Sequence, residues 1–407
     1  TNAANASLMD ASCVSGISFK SLLPLVQEDV DKVRSKEKPQ VVIVVAHTSM
    51  GKGDGKNLER QGLDLFNSLK GVDVLVTGHD HTTKVLKTDS TVLLDCGRAG
   101  QYACLADIKL VVRGGKVISR SLSGEVESFG SENYDTAMEE AFKSDYEKVR
   151  DFNTSHVGEV KKDLVSREFY YRQCDYMNFL HALAFSAWPV DISLSATLLI
   201  DGKVPAGEVR YQDIRKIYPY DNKLIVLRLT GAEILRYLEA SYDAWISTVP
   251  GPSEGSHVLR ITQTKDYATG GMKWKLAKSP ANFDSAAGIR YTVDVTKPYG
   301  SRVTVSGMAD GSPFEMDKDY SVAITSYRST GSGGLMKAAG LMDARSVEDR
   351  IIYRGPEFRT ILYRYLKKHV SIDPAVVGDP NVVGSWRFVP DFAPEAIKAD
   401  VELLYGK

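Results

Sequence analysis

The sequence predicts a layered α/β domain followed by an α+β domain, on three observations. Residues 15–125 alternate between helical spacing of apolar residues and short unbroken apolar runs, the pattern of helices layered on a sheet. A charged stretch with one helical apolar stripe, residues 131–152, interrupts the alternation. Beyond about residue 156, helix and strand signals follow in no regular order. The expected boundaries are 1–127 for the first domain, 128–155 for a connecting helix, 156–370 for the second domain and 371–407 for a tail packed on it.

In the first domain Phe19, Leu22, Leu23, Val26, Val30 and Val33 recur at helical spacing, and residues 41–46 form a buried strand. Residues 50–56, with Gly51, Gly53 and Gly55, read as a loop. Leu63, Phe66 and Leu69 restore helical spacing over 58–69, and 72–76 is a second buried strand. A crossover helix joins parallel strands, so His47 and His79 belong at equivalent ends of neighbours. Runs at 91–94, 104–112 and 116–123, the last two around Arg113-Gly114-Gly115, read as an antiparallel meander. Tyr134, Met138, Phe142, Tyr146 and Val149 make the stripe of the connecting helix, too short for a free-standing coiled coil. The second domain is expected to hold helices at 175–187 and 231–241 and strands at 224–229, 290–295, 303–306 and 320–324.

Composition narrows the function. Lys plus Arg number 51 against 52 Asp plus Glu, which leaves no global field for a nucleic-acid polymer or an anionic membrane. No apolar run approaches the ~18 residues of a transmembrane helix. The opening residues, 1–7, have no basic segment followed by an apolar one and no initial Met, so a processed or shortened chain without a signal peptide is expected. Cys13, Cys96, Cys104 and Cys174 lack C-x-x-C spacing; buried thiols are expected rather than a Cys96–Cys104 bridge. Asn5-Ala6-Ser7 and Asn153-Thr154-Ser155 match the glycosylation pattern at a length that chance explains.

The chemistry lies in Gly78-His79-Asp80-His81 and in His47, each directly after an apolar strand. Ligands gather outside the carboxyl ends of parallel strands, and a His-x-His pair can offer one ring to each of two adjacent ions. Two divalent ions also need carboxylates; Asp80 and Asp95 are nearby, though neither holds an obvious bridging position. A lone His at a strand end would be a polar cap, but three at two ends point to metal.

Residues 41–47 and 71–81 resemble the second half of a calcineurin-like metallophosphatase domain, in particular that of the exported 5′-nucleotidases and 2′,3′-cyclic-nucleotide 2′-phosphodiesterases. The resemblance implies that His47 and His79 share one divalent ion and His81 ligates a second, for phosphoester hydrolysis. It also implies a periplasmic or secreted enzyme. The family's Asp-x-His and Gly-Asn-His-Asp/Glu motifs are absent from the sequence, and its Gly-Asp motif does not precede the first strand, since Gly53-Asp54 and Gly378-Asp379 both lie after it. An N-terminally shortened, catalytically incomplete piece is therefore expected, with its catalytic residues upstream of Thr1.

In the second half, Ile217-Tyr218-Pro219-Tyr220-Asp221-Asn222 and Ser326-Tyr327-Arg328-Ser329-Thr330-Gly331-Ser332-Gly333-Gly334 resemble the nucleotide-binding domain of the same family. By that resemblance Tyr220 and Tyr327 sandwich a base and Asn222 contacts its edge; Arg328 is a candidate to face the ligand, with a surface role as the equal alternative, and Gly331 and Gly333 would let a planar ligand approach the backbone, with simple turns as the alternative. Stacking on an aromatic is worth ~1–3 kcal/mol per base; packing in a core is the alternative for each tyrosine. Residues 193–200 lack the arginine of the 5′-nucleotidases' Asn-Gly-Gly-Gly-x-Arg stretch, so the cyclic phosphodiesterase/3′-nucleotidase branch is the closer resemblance. A 5′-nucleotidase or nucleotide-sugar hydrolase, and a nucleotide-binding fragment without turnover, are the alternatives. His156, His181, His257 and His369 have no partners at ligand spacing and are expected to be structural.

Overall fold

Leu22, Leu23, Val26 and Val30 lie on one face of α1 (Leu22–Lys36) and pack into small clusters with Leu65, Leu75, Leu93 and Val72, whereas Val33 is left exposed. The structure is a computed structural model that describes residues 17–130, 135–252, 255–265, 271–373 and 378–406. Cys13, Tyr134 and Asn5-Ala6-Ser7 lie outside the described residues. The chain divides into two units, Thr1–Lys143 and Ser144–Lys407.

In the first unit, β1 (Ile43–Val45), α2 (Gly62–Ser68), β2 (Val74–Thr77), β3 (Thr83–Lys87) and β4 (Val92–Cys96) build a four-stranded sheet in the order β1-β2-β4-β3. β1 and β2 are parallel, with Val45 opposite Val76, and β4 runs parallel to β2. Asp73 ties the layers together: it accepts from Val42 N at 2.8 Å and from Arg34 Nη2 at 2.6 Å, and pairs with Arg120.

Three expectations are corrected here. The first strand is an edge strand, buried at Val42 but 56% and 77% exposed at Ile43 and Val45. The 91–94 run is no part of a meander. Val92 and Leu94 pack on Leu122 while Leu93 packs on Leu65 and Leu75, and a strand covered on both faces belongs inside a parallel sheet. β3, unforeseen, pairs antiparallel with it. The remaining two runs form a separate ribbon, β5 (Tyr102–Arg113) with β6 (Lys116–Ser128). Gly114 and Gly115, both at positive φ, close it as the two-residue hairpin turn requires.

The third correction concerns the thiols: Cys96 and Cys104 are joined in a disulfide. Gly97, Ala99 and Gly100 take left-handed φ and double the chain back, bringing the two Cα atoms within 5.5 Å. Cys174 is a buried free thiol, its pKa pushed up to about 12 by burial.

The stripe Met138, Phe142, Tyr146 and Val149 stands exposed along α3 (Thr136–Thr154). The second unit then proceeds through β7 (His156–Val160), α4 (Asp175–Ala187), β8 (Ile192–Ala196), β9 (Lys223–Thr230), α5 (Gly231–Trp245), β10 (Asp284–Ala287), β11 (Ile289–Asp294), β12 (Val303–Met308), β13 (Asp319–Thr325), β14 (Ile351–Glu357) and α6 (Phe358–His369). Its main sheet has the order β10-β8-β13-β9-β14. Thr230 and Glu233 cap α5 reciprocally, through bonds of 3.2 and 2.8 Å. Trp245, fully buried, stacks against Phe169 and Phe283 in the core. The tail carries β15 (Trp386–Val389), parallel to β11, and a helix, α7 (Phe392–Tyr405), that its Pro- and Val-rich sequence did not announce.

Two outcomes test this packing. Replacing Cys96 and Cys104 by Ser is expected to cost about 2 kcal/mol for a loop of this size, seen as a lower urea midpoint of the first unit's transition; an unchanged midpoint contradicts it. His181 is buried between Ser193 Oγ at 2.9 Å and Ser285 Oγ at 3.3 Å, and burial pushes its pKa down to about 3. The unfolded chain binds a proton near 6.5 that the folded chain refuses. Stability from this site is therefore complete above pH 6.5 and falls by up to about 1.4 kcal/mol per pH unit below it. Urea unfolding at pH 7 and pH 5 should show the loss, and His181→Gln should flatten it.

Candidate functional site

The parallel pairing of β1 with β2 carries His47 and His79 out of the sheet side by side. His47 Nε2 lies 3.3 Å from His79 Nδ1, with the rings edge to face at 5.2 Å between centroids. Behind His79, its Nε2 meets Glu59 Oε1 at 3.1 Å. Sequence reasoning missed Glu59, because it sits in an irregular segment before α2 with no motif around it.

Gly78 was expected to permit a close approach, but a Cβ there would stand 3.8 Å from His47 Nδ1, an ordinary contact. The unusual backbone falls instead on His79, at φ 85°, and His81, at φ 57°. Few side chains adopt this region, His more readily than most.

Asp80 is committed to the loop beside it. Its Oδ2 accepts from Met50 N at 2.7 Å. Burial works to raise its pKa, but the Met50 N–H, the Ser49 hydroxyl and the nearby Arg60 hold it below the usual carboxylate range. Asp95 behaves oppositely: burial first, and repulsion from Asp80, raise its pKa, and its Oδ1 has no hydrogen-bond partner.

A divalent ion fits these residues in part. Two nitrogen ligands at ~2.0–2.1 Å in tetrahedral geometry lie ~3.4 Å apart, close to the His47–His79 separation. The orphan oxygen of Asp95, which feels the charge of His47, is a group a cation would satisfy. Yet among the described residues no three His, Cys, Asp or Glu are grouped to hold a metal ion. The expected convergence of three imidazoles is not found: His47 and His79 come together, and exposed His81 does not complete a cluster with them.

In the second unit the antiparallel register of β9 and β13 sets Leu224 opposite Thr325. The segment before β9 and the segment after β13 therefore emerge at one end of the sheet, joined by Lys223 N donating to Ser326 Oγ at 3.0 Å. Tyr220 is 49% exposed and Tyr327 half-buried, so both present ring surface there. Tyr218 is the core tyrosine of the pair of loops, buried and stacked on Phe358 at 5.1 Å. Asn222 holds this turn together, its carbonyl accepting from Phe358 N at 2.8 Å and its side chain meeting the Tyr218 hydroxyl.

Arg328 does not face a ligand. It is buried, with Nη2 on Asp284 Oδ1 at 2.6 Å, Nε on Asp284 Oδ2 at 3.1 Å and further bonds to the carbonyls of Ala281 and Ser332. Burial opposes its charge, but Asp284 beside it raises its pKa. Gly333 serves the same packing: a Cβ there would strike Asn282 Oδ1 and Arg328 Nη1. Gly331 has open space around it and a left-handed φ of 84°.

Residues 155–340 match the family described as 5′-nucleotidase, C-terminal domain. The trifunctional nucleotide phosphoesterase protein YfkN of Bacillus subtilis is 21% identical over 88% of this chain and 26% of its own length. A 2′,3′-cyclic-nucleotide 2′-phosphodiesterase/3′-nucleotidase of Salmonella typhimurium is 20% identical over 98% of this chain and 66% of its own. The chain thus carries a C-terminal domain of the 5′-nucleotidase kind over residues 155–340. It spans only about a quarter of the Bacillus relative. A solved structure of a Staphylococcus aureus protein assigned as a 5′-nucleotidase, in complex with α-ketoglutarate, shares the fold. It is 16% identical and covers 91% of this chain and 68% of that one at a TM-score of 0.57.

The Arg328 ion pair yields a prediction. Arg328→Ala leaves Asp284 buried with its charge uncompensated, which typically costs ~3–5 kcal/mol. A large drop in thermal midpoint is expected before any nucleotide is added. A variant as stable as the parent, but defective in nucleotide binding, would return Arg328 to the ligand.

Proposed function

We propose that the protein is a nucleotide phosphoesterase of the 2′,3′-cyclic-nucleotide 2′-phosphodiesterase/3′-nucleotidase type, working outside the cytoplasm. The observation that carries the reading is the meeting of His47 Nε2 and His79 Nδ1 at the ends of two parallel strands. It occurs in a chain whose second unit matches a nucleotidase domain. The relatives named as cyclic phosphodiesterases support the branch. The disulfide supports an oxidising compartment. No helix among the described residues is long and apolar enough to cross a membrane.

Divalent cations, when bound, would supply Lewis acidity toward the phosphoryl group. His47 and His79 would hold one of them. His81 is the nearest further imidazole in sequence for a second. Tyr220 and Tyr327 would take the base between their rings, with Asn222 fixing the turn that carries Tyr220 and Gly331 giving the second loop its open backbone. Arg328 and Gly333 would act by supporting the Tyr327 loop from beneath.

A second reading rests on one observation, the lack of any three-ligand cluster among the described residues: this stretch of chain binds nucleotide without turning it over. Hydrolysis of 2′,3′-cyclic AMP, 3′-AMP and AMP with Mn²⁺ or Zn²⁺ separates the readings, assayed on this chain and on an N-terminally extended one. Turnover of the cyclic substrate by the extended chain alone is expected. Preference for AMP would move the protein to the 5′-nucleotidases, and robust turnover by this chain would refute its incompleteness. For the clamp, Tyr220→Ala and Tyr327→Ala are each expected to weaken nucleoside binding about tenfold. Unchanged affinity in calorimetric titrations of both variants would remove the stacking argument.

A further inference from the structure

Glu59 sits where no helix, strand or motif explains it, yet its backbone is held from several sides. Its N–H donates to Asn57 Oδ1 at 2.9 Å, and its carbonyl accepts from Thr48 Oγ1 at 2.8 Å. Thr48 Oγ1 also accepts from Gln61 N at 2.9 Å. Thr48 is buried and directly follows His47. Gln61, also buried, is fixed in turn by Leu22 N donating to its Oε1 at 2.8 Å and by its own Nε2 donating to the Leu58 carbonyl at 2.6 Å. The residue next to one histidine thus clamps the segment that delivers a carboxylate to the other. The side chains of His79 and Glu59 are 25% and 23% exposed.

Neutral imidazole carries one proton, and the hydrogen bond at one nitrogen decides which nitrogen keeps a lone pair. A carboxylate accepts only, so Glu59 Oε1 at 3.1 Å from His79 Nε2 calls for the proton there. Nδ1 then turns its lone pair toward His47 Nε2, 3.3 Å away. Histidine ligands of metals ordinarily donate their other N–H in this way to a carboxylate or carbonyl.

We infer that Glu59 is a positioning residue: it locks His79 as the Nε2–H tautomer and so presents Nδ1, beside His47 Nε2, to a divalent cation. The inference rests on the reading that His47 and His79 take a cation, but its first test needs neither cation nor substrate. Long-range ¹H–¹⁵N NMR of the metal-free protein near pH 8, where an ordinary imidazole is neutral, is expected to show His79 as the Nε2–H form. It should become a mixture of tautomers in Glu59→Ala and return toward Nε2–H in Glu59→Asp. Calorimetric titration with Zn²⁺ should find Glu59→Ala weaker by about 10- to 100-fold, with an unchanged unfolding midpoint. A wild-type His79 carrying its proton on Nδ1 overturns the inference, as does a Glu59→Ala affinity within about twofold of the parent. Failure to hydrolyse any nucleotide would count against the proposed function alone. The tautomer is read without it.

Discussion

The candidate chemistry of the first unit depends on the parallel register that sets Val45 opposite Val76. Two residues past Val45 comes His47, and three past Val76 comes His79, so the sheet itself delivers both rings to one edge. A slip of one residue would reverse the face of every side chain on β1 and separate them. Several buried groups oppose such a slip. Asp73 binds Val42 N together with Arg34 and Arg120, and Asp80 reaches back to Met50 N. Asp64 holds the glycine-bearing loop by accepting from Gly55 N. Asp80 and Asp64 are thus occupied with backbone, which is why Asp80 closes no ligand cluster with the imidazoles, whereas Asp95 keeps one buried oxygen without a hydrogen bond.

The second unit uses the same principle with the opposite charge. Strands β9 and β13 bring two aromatic loops to one end of the sheet, and the loop after β13 is anchored from below by a buried cation. Asp284 receives Arg328 and the Tyr237 hydroxyl together. An arginine with its donors consumed by Asp284, Asn282 and two carbonyls has little left for a phosphate. Its contribution is rigidity under Tyr327, and Gly333 is glycine because that guanidinium leaves no room for a side chain. Tyr220 stays half exposed because the deeper packing is done by Tyr218 on Phe358, and the Tyr327 ring has Arg328 over it at 5.4 Å.

The elements that the sequence marks well are those whose apolar residues alternate or run unbroken. α4 was legible to the residue, and the strands β9, β11, β12 and β13 to within a few residues, because burial alternates or runs unbroken along them. What escaped was decided by partners distant in sequence. β4 reads like a meander strand until Leu65 and Leu75 are seen to cover one face and Leu122 the other. Cys96 and Cys104 meet only because three left-handed residues fold the chain between them. The meeting of His47 with His79 was readable from their place after apolar runs, and the register of β9 and β13 brings the segments of Tyr220 and Tyr327 to one end of the sheet. Glu59 was not readable, since its position is set by Thr48 and Gln61 through bonds that leave no periodic trace. Arg328, ligand-facing or at the surface by sequence, is instead buried, because sequence cannot distinguish a cation that faces solvent from one aimed at Asp284.

The backbone around Asp80 bears on whether the imidazoles are incidental. His79 and His81 both occupy left-handed φ, one on either side of a residue whose carboxylate is turned onto a neighbouring loop. Non-glycine residues in sparsely populated regions cost of order 1–3 kcal/mol each; at exposed His81 glycine or asparagine would relieve that cost with no loss of packing, whereas His79 is held by His47 and Glu59. A strand-end cap chosen for stability would therefore not be histidine at position 81. Strain that a small residue would remove at His81, beside an anchored aspartate, fits an imidazole placed there for what it binds, and it fits a site whose geometry is set by the backbone before any ligand arrives.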